Sequence, residues 1–376
     1  MSGFKKRILI AIGTRPEAIK MAPLIKRLES RETFEVITCV TGQHRSMLDQ
    51  VLGLFEIKPK YDLNLMKPHQ CLSDLTGAVL HGMQGILQSV KPDLVLVHGD
   101  TTTTMAASLA AFYQKIPIGH VEAGLRTGDI YSPWPEEANR KLAGALAKLH
   151  FAPTESARQN LLRENVKPGG VYVTGNTVID ALNDVTKRIA GDPRMEAALT
   201  AEMPFLRSGK KVIMVTAHRR ENFGKPMENI FAALRALADR DDCLIVYPLH
   251  LNPNVSEPAN RLLADHPNIK LLPPLDYLPF VFLLSKSYIV VTDSGGVQEE
   301  APSLGKPVLV LRSVTERPEA VSAGTVKLVG TDSETIIAES KKLFESNEEY
   351  LKMSHAHNPY GDGKACERII EVLESC

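Results

Sequence analysis

The chain has few of the features that mark secreted, membrane or nucleic-acid-binding proteins. Its 376 residues include five scattered cysteines, none in a C-x-x-C pair, so neither a zinc ribbon nor a dithiol redox motif is indicated. Because an odd number of cysteines suits free thiols in a reducing compartment, we predict a cytoplasmic protein. Lysine and arginine together number 44, as do aspartate and glutamate, so no basic surplus points to nucleic acid.

Long hydrophobic runs are also missing. No stretch approaches the roughly 18 apolar residues of a membrane span, so we predict no membrane partner. Hydrophobic residues make up 44% of the chain and charged residues 23%, which is ordinary for a globular protein. The length is sufficient for two domains of about 100–200 residues each.

Motifs for common cofactors are absent as well. The sequence contains no G-x-G-x-x-G, no G-x-x-x-x-G-K-[ST] and no H-E-x-x-H. These are the usual signatures of dinucleotide, nucleoside triphosphate and zinc sites. We therefore expect neither a nicotinamide cofactor nor a metal ion.

Short apolar runs alternate with helical patterns along the whole chain. Fully apolar strands separated by helices are typical of parallel sheets covered on both faces. We predict an α/β fold of two doubly wound Rossmann-like domains, with the active site in the cleft between them. The predicted N-terminal domain comprises residues 1–175 and the predicted C-terminal domain comprises residues 176–362. A C-terminal helix at 363–376 could pack back on the N-terminal domain. The predicted strands are 7–12, 35–40, 94–98, 117–121, 149–152, 211–216, 243–248, 269–272, 288–292, 308–311 and 326–329.

Residues 292–302 read T-D-S-G-G-V-Q-E-E-A-P and follow a predicted strand. Glycines let the backbone approach a ligand closely, and the N–H groups of a first helical turn attract an anion. Glu299 and Glu300 come one turn later, where carboxylates can accept hydrogen bonds from ribose hydroxyls. The segment therefore indicates a phosphate-and-sugar site. The alternative is a plain helix N-terminus with Ser294 as its N-cap.

Acidic residues follow predicted strands of the first half. Asp100 comes after the third strand, Glu122 after the fourth, and Glu136 begins a helix soon after. Because the carboxyl ends of parallel strands share one edge of a sheet, we expect these carboxyls in one group. Such a group suits acid–base catalysis. Each acid also has a simpler explanation as an N-cap or first-turn carboxylate.

Basic residues follow strands in both halves. Arg15 comes after the first strand, where its guanidinium could bind a phosphate, and Lys20, one turn further on, is a second candidate for binding the substrate. A solvated arginine beside a capped helix is the alternative. His218 and Arg219 follow one strand of the second half and His250 follows the next. A histidine at a strand end is a candidate acid, base or ligand.

Seven short motifs, in order along nearly the whole chain, resemble the non-hydrolysing UDP-N-acetylglucosamine 2-epimerases of bacteria. They are R-P-E-A at 15–18, H-G-D-T-T-T at 98–103, V-E-A-G-L-R at 121–126, P-E-E-A-N-R at 135–140, H-R-R-E-N at 218–222, D-S-G-G at 293–296 and E-R-P-E at 316–319. The resemblance implies a GT-B-like pair of Rossmann-type domains, UDP-GlcNAc as substrate and UDP-ManNAc as product. It also implies a homodimer and a supply of ManNAc for cell-surface polysaccharide.

The resemblance also implies roles for individual residues. Those that resemble the UDP-binding set are Arg15, Ser294, Gly295, Gly296, Glu300 and Arg317, with Phe280 beside the uracil. Those that resemble the acid–base group are Asp100, Glu122, Glu136 and His218. Members of the family can require UDP-GlcNAc at a second, regulatory site, which Gln43, His44, Arg219 and His250 resemble. Alternatively, Gln43 and His44 merely cap the helix that follows them.

Epimerisation at C2 needs an unusual route, because this carbon is not next to a carbonyl group. Elimination of UDP to 2-acetamidoglucal, followed by re-addition, needs an anion clamp and a proton-transfer group on each face of C2. Three alternatives stay open at this point. They are a GT-B glycosyltransferase, an epimerase of a related UDP-diacetamido sugar, and a non-catalytic UDP-sugar sensor.

Overall fold

The computed structural model describes residues 5–42, 45–67, 70–315 and 317–376. The chain divides into two units. Unit 1 comprises Met1–Ala181 and Tyr360–Cys376, and unit 2 comprises Leu182–Pro359. Across the described ranges, no helix is both long and apolar enough to cross a membrane.

The strands lie within one residue of the bounds predicted from the sequence, with two short additions at 61–62 and 171–173. In chain order the strands are β1 (Lys6–Ile12), β2 (Phe34–Val40), β3 (Tyr61–Asp62), β4 (Leu94–His98), β5 (Ile118–Val121), β6 (Leu149–Ala152), β7 (Val171–Val173), β8 (Lys211–Thr216), β9 (Cys243–Pro248), β10 (Ile269–Leu272), β11 (Ile289–Thr292), β12 (Val308–Val310) and β13 (Val326–Leu328).

Helices connect these strands. In chain order they are α1 (Arg15–Glu29), α2 (Arg45–Leu54), α3 (Leu72–Val90), α4 (Thr102–Tyr113), α5 (Glu136–Leu146), α6 (Glu155–Arg163), α7 (Thr177–Gly191), α8 (Pro193–Glu202), α9 (Lys225–Ala238), α10 (Pro253–Leu263), α11 (Tyr277–Lys286), α12 (Gly295–Ser303), α13 (Pro318–Ser322), α14 (Ser333–Glu345), α15 (Asn347–Ser354) and α16 (Ala365–Ser375).

Each unit contains one parallel sheet. The strand order is β3-β2-β1-β4-β5-β6-β7 in unit 1 and β10-β9-β8-β11-β12-β13 in unit 2. In each sheet, the chain adds strands on one side of the first strand and then on the other. This switch lies between β1 and β4 in unit 1 and between β8 and β11 in unit 2. Ligands of doubly wound sheets bind outside the carboxyl ends of the strands at such a switch point. The predicted class, two doubly wound α/β domains, is confirmed.

Helices cover both faces of the first sheet. Alternate residues of a strand point to opposite faces, so Ile8 and Ile10 pack with residues of α1 and α16, whereas Leu9 packs with residues of α3 and α4. The side chains of Ile8, Leu9 and Ile10 are all fully buried. A continuous apolar strand is therefore what this position requires.

The C-terminal helix α16 belongs to unit 1. The carboxylate of Asp180, in α7, accepts the backbone N–H groups of Ala365 and Cys366, both at 3.1 Å. Lys6 Nζ donates to the carbonyl of Leu373 at 3.1 Å. Ile369 of α16 is fully buried beside α1. Each such buried apolar side chain contributes about 1.5–3 kcal/mol to the stability of the unit.

Candidate functional site

The loop after β1 is shaped by a buried carboxylate. Thr14 is the N-cap of α1, and Glu17 completes a capping box three residues later. The Glu17 carboxylate accepts the N–H groups of Gly13 and Thr14 at 3.0 and 2.6 Å. This geometry holds the loop that leads into α1, whose first residue is Arg15.

The same carboxylate joins this loop to the loop after β4. Thr101 and Thr104 donate their hydroxyls to Glu17 at 2.7 and 3.2 Å. Burial raises the pKa of Glu17, and its hydrogen bonds oppose that change. Since Asp100 directly precedes Thr101 and Arg15 directly follows Thr14, the two residues adjoin two loops that share one anchor at the switch point of unit 1.

Glu122 lies at the end of β5 in a strained backbone conformation. Its φ is 62°, a left-handed value that costs a residue other than glycine about 1–3 kcal/mol. Its carboxylate contacts Lys20 Nζ and accepts a hydrogen bond from Asn176 Nδ2 at 2.8 Å. His98 Nε2 lies 3.8 Å from the same oxygen, Oε2. Strain of this kind is retained where a side chain must be held in one direction.

Asp100 is paired with an arginine that sequence reasoning did not identify. Arg140 Nη2 donates to Asp100 Oδ2 at 2.5 Å, and Asn139 Nδ2 donates to the Asp100 carbonyl at 3.0 Å. Burial raises the pKa of the Asp100 carboxyl, and Arg140 opposes this effect. The negative charges of Glu122 and Glu136 raise this pKa further, so both carboxylates lie close enough to Asp100 to act on it.

Glu136 and Glu137 begin α5 in different environments. Glu136 Oε2 is buried without a hydrogen-bond partner among the residues that the structure describes. Glu137 is fully buried, 3.2 Å from Arg140 Nη1, and accepts the N–H of Thr127 at 3.2 Å. Glu137 is therefore a structural acid, whereas Glu136 has an oxygen available for another group.

Three buried histidines lie on adjacent strands of this sheet. His98, His120 and His150 lie on β4, β5 and β6 respectively, and each is at most 3% exposed. Burial lowers their pKa values to about 4, 3 and 4. They are therefore neutral near pH 7.

In unit 2, the loop between β11 and α12 forms the expected helix N-terminus. Ser294 is the N-cap, but its side chain makes no capping hydrogen bond, and its N–H donates to Thr292 Oγ1 at 2.9 Å. Gly295 comes next. A Cβ on this residue would lie 2.4 Å from Arg317 Nη1, so glycine lets the guanidinium lie against the first turn of α12. The arrangement combines a helix N-terminus with an arginine, both suited to an anion.

The two acids of α12 have separate partners. Arg317 Nε donates to Glu299 Oε1 at 2.7 Å, so Glu299 orients the arginine. Tyr277 donates its hydroxyl to Glu300 Oε1 at 2.9 Å. Glu300 is 7% exposed, and Phe280 lies three residues after Tyr277 in α11.

His218 lies after β8 beside a buried aspartate. Its ring nitrogen Nδ1 is 3.6 Å from Asp293 Oδ1, and its ring stacks on that of His250 with centroids 5.3 Å apart. Burial lowers the pKa of His218; Asp293 opposes this, while His250 and Arg219 reinforce it. His218 is thus neutral but adjacent to a group that can stabilise its protonated form.

The predicted regulatory set is described in part. Gln43 and His44 lie outside the described residues. Arg219 and His250 both lie in unit 2, and Arg219 Nε is buried with no hydrogen-bond partner in the described part of the chain. His250 is exposed and its Nδ1 accepts the N–H of Asn252 at 3.1 Å.

Sequence reasoning missed the residues that hold the predicted ones. Arg140, Asn176 and Asp293 each contact a predicted site residue. Arg140 and Asp293 lie within quoted motifs but were assigned no role, and Asn176 lies in none of the motifs. The spacing between Glu136 and Arg140 is the one available signal, since residues four apart share a helix face. Within the described ranges, no group of three or more His, Cys, Asp or Glu side chains could hold a metal ion.

The fold and these two groups of side chains define a class of protein. It is a doubly wound α/β enzyme with a group of carboxyls at the switch point of one unit. At the switch point of the other unit, an arginine lies against a helix N-terminus, an arrangement that suits an anion.

Comparison with known proteins gives the family. A family model described as UDP-N-acetylglucosamine 2-epimerase matches residues 26–374. The UDP-N-acetylglucosamine 2-epimerase of Salmonella typhimurium is 60% identical over 370 residues, covering 98% of both chains, and that of Escherichia coli K12 is 59% identical over the same length. A crystal structure of UDP-GlcNAc 2-epimerase from Neisseria meningitidis bound to UDP-GlcNAc has a TM-score of 0.92 at 54% identity, covering 98% of this chain and 100% of that one. The chain therefore belongs to the UDP-N-acetylglucosamine 2-epimerase family, as its motifs predicted.

Proposed function

We propose that the chain catalyses the reversible C2 epimerisation of UDP-GlcNAc to UDP-ManNAc by elimination and re-addition of UDP. The observation that carries the proposal is the placement of Glu122 and Glu136 close enough to Asp100, at one switch point, for their charges to act on its carboxyl. The names of the relatives support the substrate, as does the Neisseria meningitidis protein, whose structure is bound to UDP-GlcNAc.

The reaction is balanced without an external oxidant or reductant. A base takes the proton from C2, the C1–C2 double bond forms, and the C1–O bond breaks with its electron pair passing to the β-phosphate oxygen of UDP. The intermediate is 2-acetamidoglucal. In the second step an acid delivers a proton to the opposite face of C2 while the diphosphate oxygen attacks C1.

Asp100, Glu122 and Glu136 are the proposed proton-transfer groups. Their environments differ, which lets one carboxyl act as an acid while another acts as a base. Burial raises the pKa of Asp100, whereas Glu122 is beside the Lys20 ammonium and the Asn176 amide. Lys20 was predicted to bind substrate, and this role stays a prediction beside its contact with Glu122.

The leaving diphosphate needs a strong anion clamp, because negative charge develops on it as the C1–O bond breaks. We assign the clamp to Arg15, Arg317, His218 and the backbone of Ser294, Gly295 and Gly296, with Glu300 at the ribose and Phe280 at the uracil. Support comes from Arg317, which lies against the first turn of α12. That groups of both units act on one ligand stays a prediction.

A time course by NMR tests the proposal. The purified chain is incubated with UDP-GlcNAc in D2O, without cofactor or acceptor, and we expect UDP-ManNAc carrying deuterium at C2. Turnover without an acceptor distinguishes the reaction from glycosyl transfer. Strict dependence on added NAD, or full retention of the original hydrogen at C2, would contradict the elimination route.

Amide variants test the carboxyl group. Asp100→Asn, Glu122→Gln and Glu136→Gln should each lower kcat by roughly two to four decades, the usual contribution of acid–base catalysis. Wild-type turnover in all three would remove these residues from the mechanism. Asp239→Asn, at the C-terminus of α9 in unit 2, is a control that should retain full activity.

Regulation and assembly follow the family expectation. We propose that UDP-GlcNAc also binds a second site formed by Gln43, His44, Arg219 and His250, that the protein is a homodimer, and that its product supplies ManNAc for cell-surface polysaccharide. A second site predicts a lag when pure UDP-ManNAc is the substrate, abolished by traces of UDP-GlcNAc. A reverse reaction that starts at full speed would eliminate that site.

A further inference from the structure

Asp293 is a fully buried carboxylate that the proposed function does not use. It directly follows β11 and precedes the helix N-terminus of α12. A buried carboxylate is costly unless hydrogen bonds satisfy it, so its contacts indicate what it does. These contacts connect Asp293 to His218 and its neighbours.

One oxygen of Asp293 is fully engaged. Oδ2 accepts the backbone N–H groups of His218 and Arg219, both at 2.8 Å, and the side-chain amide of Asn222 at 3.0 Å. These donors all belong to the segment after β8, so this oxygen holds that segment against the end of β11. The two strands are neighbours at the switch point of unit 2.

The other oxygen has a different environment. Oδ1 is buried and has no hydrogen-bond partner among the described residues, and the atom that faces it is His218 Nδ1 at 3.6 Å. This distance is slightly too long for a hydrogen bond. Hydrogen bonds in catalytic sites without ligand are often long and tighten in the complex, and a small rotation of the imidazole closes this one.

We infer that Asp293 is the positioning residue for His218, accepting its Nδ1–H so that Nε2 faces the substrate free to exchange a proton. The inference rests on the proposed function, in which His218 belongs to the clamp on the diphosphate. When the diphosphate gains negative charge, a proton on Nε2 stabilises it, and Asp293 stabilises the imidazolium. The aspartate of Ser-His-Asp hydrolases fixes the tautomer of its histidine in the same way.

The charged groups around His218 are consistent with this role. Arg219 precedes the short turn after β8, and His250 follows β9 and stacks on the ring. Both disfavour a positive charge on His218, and Asp293 is the group that favours it. The imidazole therefore depends on this single carboxylate for its protonated form.

Asp293→Asn isolates the effect. The amide oxygen can replace Oδ2 and keep all three N–H donors satisfied, which places the NH2 group where Oδ1 was. That NH2 group forces His218 Nδ1 to accept, so the proton moves to Nε2. We expect the variant to fold, to bind UDP within about threefold of wild type, and to lose kcat by roughly two to four decades.

A spectroscopic measurement separates positioning from simple structural support. The full chain is labelled with 15N-histidine, and His218 is identified by its absence in His218→Gln. In wild type with UDP bound, we expect the Nδ1–H tautomer and, in Asp293→Asn, the Nε2–H tautomer with a pKa for His218 that is lower still. Asn222→Ala is the matched control, since it removes one donor to Oδ2 but leaves Oδ1 facing the ring.

The outcomes are distinct. Unchanged His218 resonances and titration in folded Asp293→Asn would overturn the inference, as would the same tautomer change in Asn222→Ala. A tautomer change without any turnover of UDP-GlcNAc by the wild-type chain would support the pairing and refute the proposed function instead.

Discussion

Arg140 is the residue whose removal tests the carboxyl group most directly. Its side chain is 11% exposed and lies between two acids, 2.5 Å from Asp100 and 3.2 Å from the fully buried Glu137. Arg140→Gln removes the positive charge from both at once while keeping a side chain that can donate hydrogen bonds.

Two effects should follow, and the structure sets their size. A unit charge pair about 4 Å apart is worth about 4 kcal/mol at an effective dielectric constant of about 20. Because Arg140 opposes the rise in the Asp100 pKa, its loss raises that pKa further. Glu137 would lose its charged partner inside the protein, at a cost of about 3–5 kcal/mol in the free energy of unfolding.

The assay is the pH dependence of kcat/KM together with urea unfolding followed by circular dichroism. In Arg140→Gln, the limb of the profile that reports Asp100 should move to higher pH by at least about one unit. Arg140→Lys is the matched control, because it keeps the charge but loses the two-pronged geometry, and its profile should move less. A folded Arg140→Gln protein with the wild-type profile would refute the reasoning.

Three further predictions concern single residues. Arg15→Ala should weaken UDP binding by about 1.5–3 kcal/mol through loss of a charge-assisted hydrogen bond, and unchanged affinity by calorimetry would return Arg15 to the role of a solvated side chain. Gly295→Ala should displace Arg317, because the new Cβ would lie 2.4 Å from Arg317 Nη1. The variant should bind UDP more weakly with little loss of stability, and wild-type UDP affinity would contradict the proposed anion site. His150, whose pKa burial lowers from 6.5 to about 4, contributes stability that is present above pH 6.5 and lost as the pH falls towards 4, because the unfolded chain takes up the proton first. Between pH 7.5 and pH 4.5, the free energy of unfolding measured in urea should therefore fall by about 2–3 kcal/mol less in His150→Gln than in wild type. The control is His355→Gln, since His355 is exposed. Parallel pH profiles for wild type and His150→Gln would argue against a buried neutral imidazole.

Strand positions could be read from the sequence because burial on both faces requires continuous apolar runs. β4 and β8 are examples, since residues 94–97 and 212–215 are consecutive apolar residues that are all buried. The edge strands β3 and β7 were not predicted: β3 has two residues, neither of them buried, and only the first of the three residues of β7 is buried. Their assignment depends on the neighbouring strand that pairs with them.

The same distinction between local sequence patterns and tertiary contacts applies to the candidate site. The loop after β11 was predicted in detail because Ser294, Gly295 and Gly296 are local signals for a helix that starts at an anion. Ser294 shows the limit of such signals. It occupies the N-cap position that the alternative interpretation gave it, but its side chain makes no capping hydrogen bond, a property that depends on its surroundings.

What the sequence by itself determined was the order of elements, the family and the residue types available at each strand end. These follow from local patterns and contiguous motifs. The tertiary structure decided which charges meet. Arg140 reaches Asp100 across 40 residues, Lys20 reaches Glu122 across 102, and Asp293 holds His218 across 75. Such partners are brought together by the strand order of the two sheets, and the environment of each acid depends on that order because electrostatic interactions act through space, not along the chain.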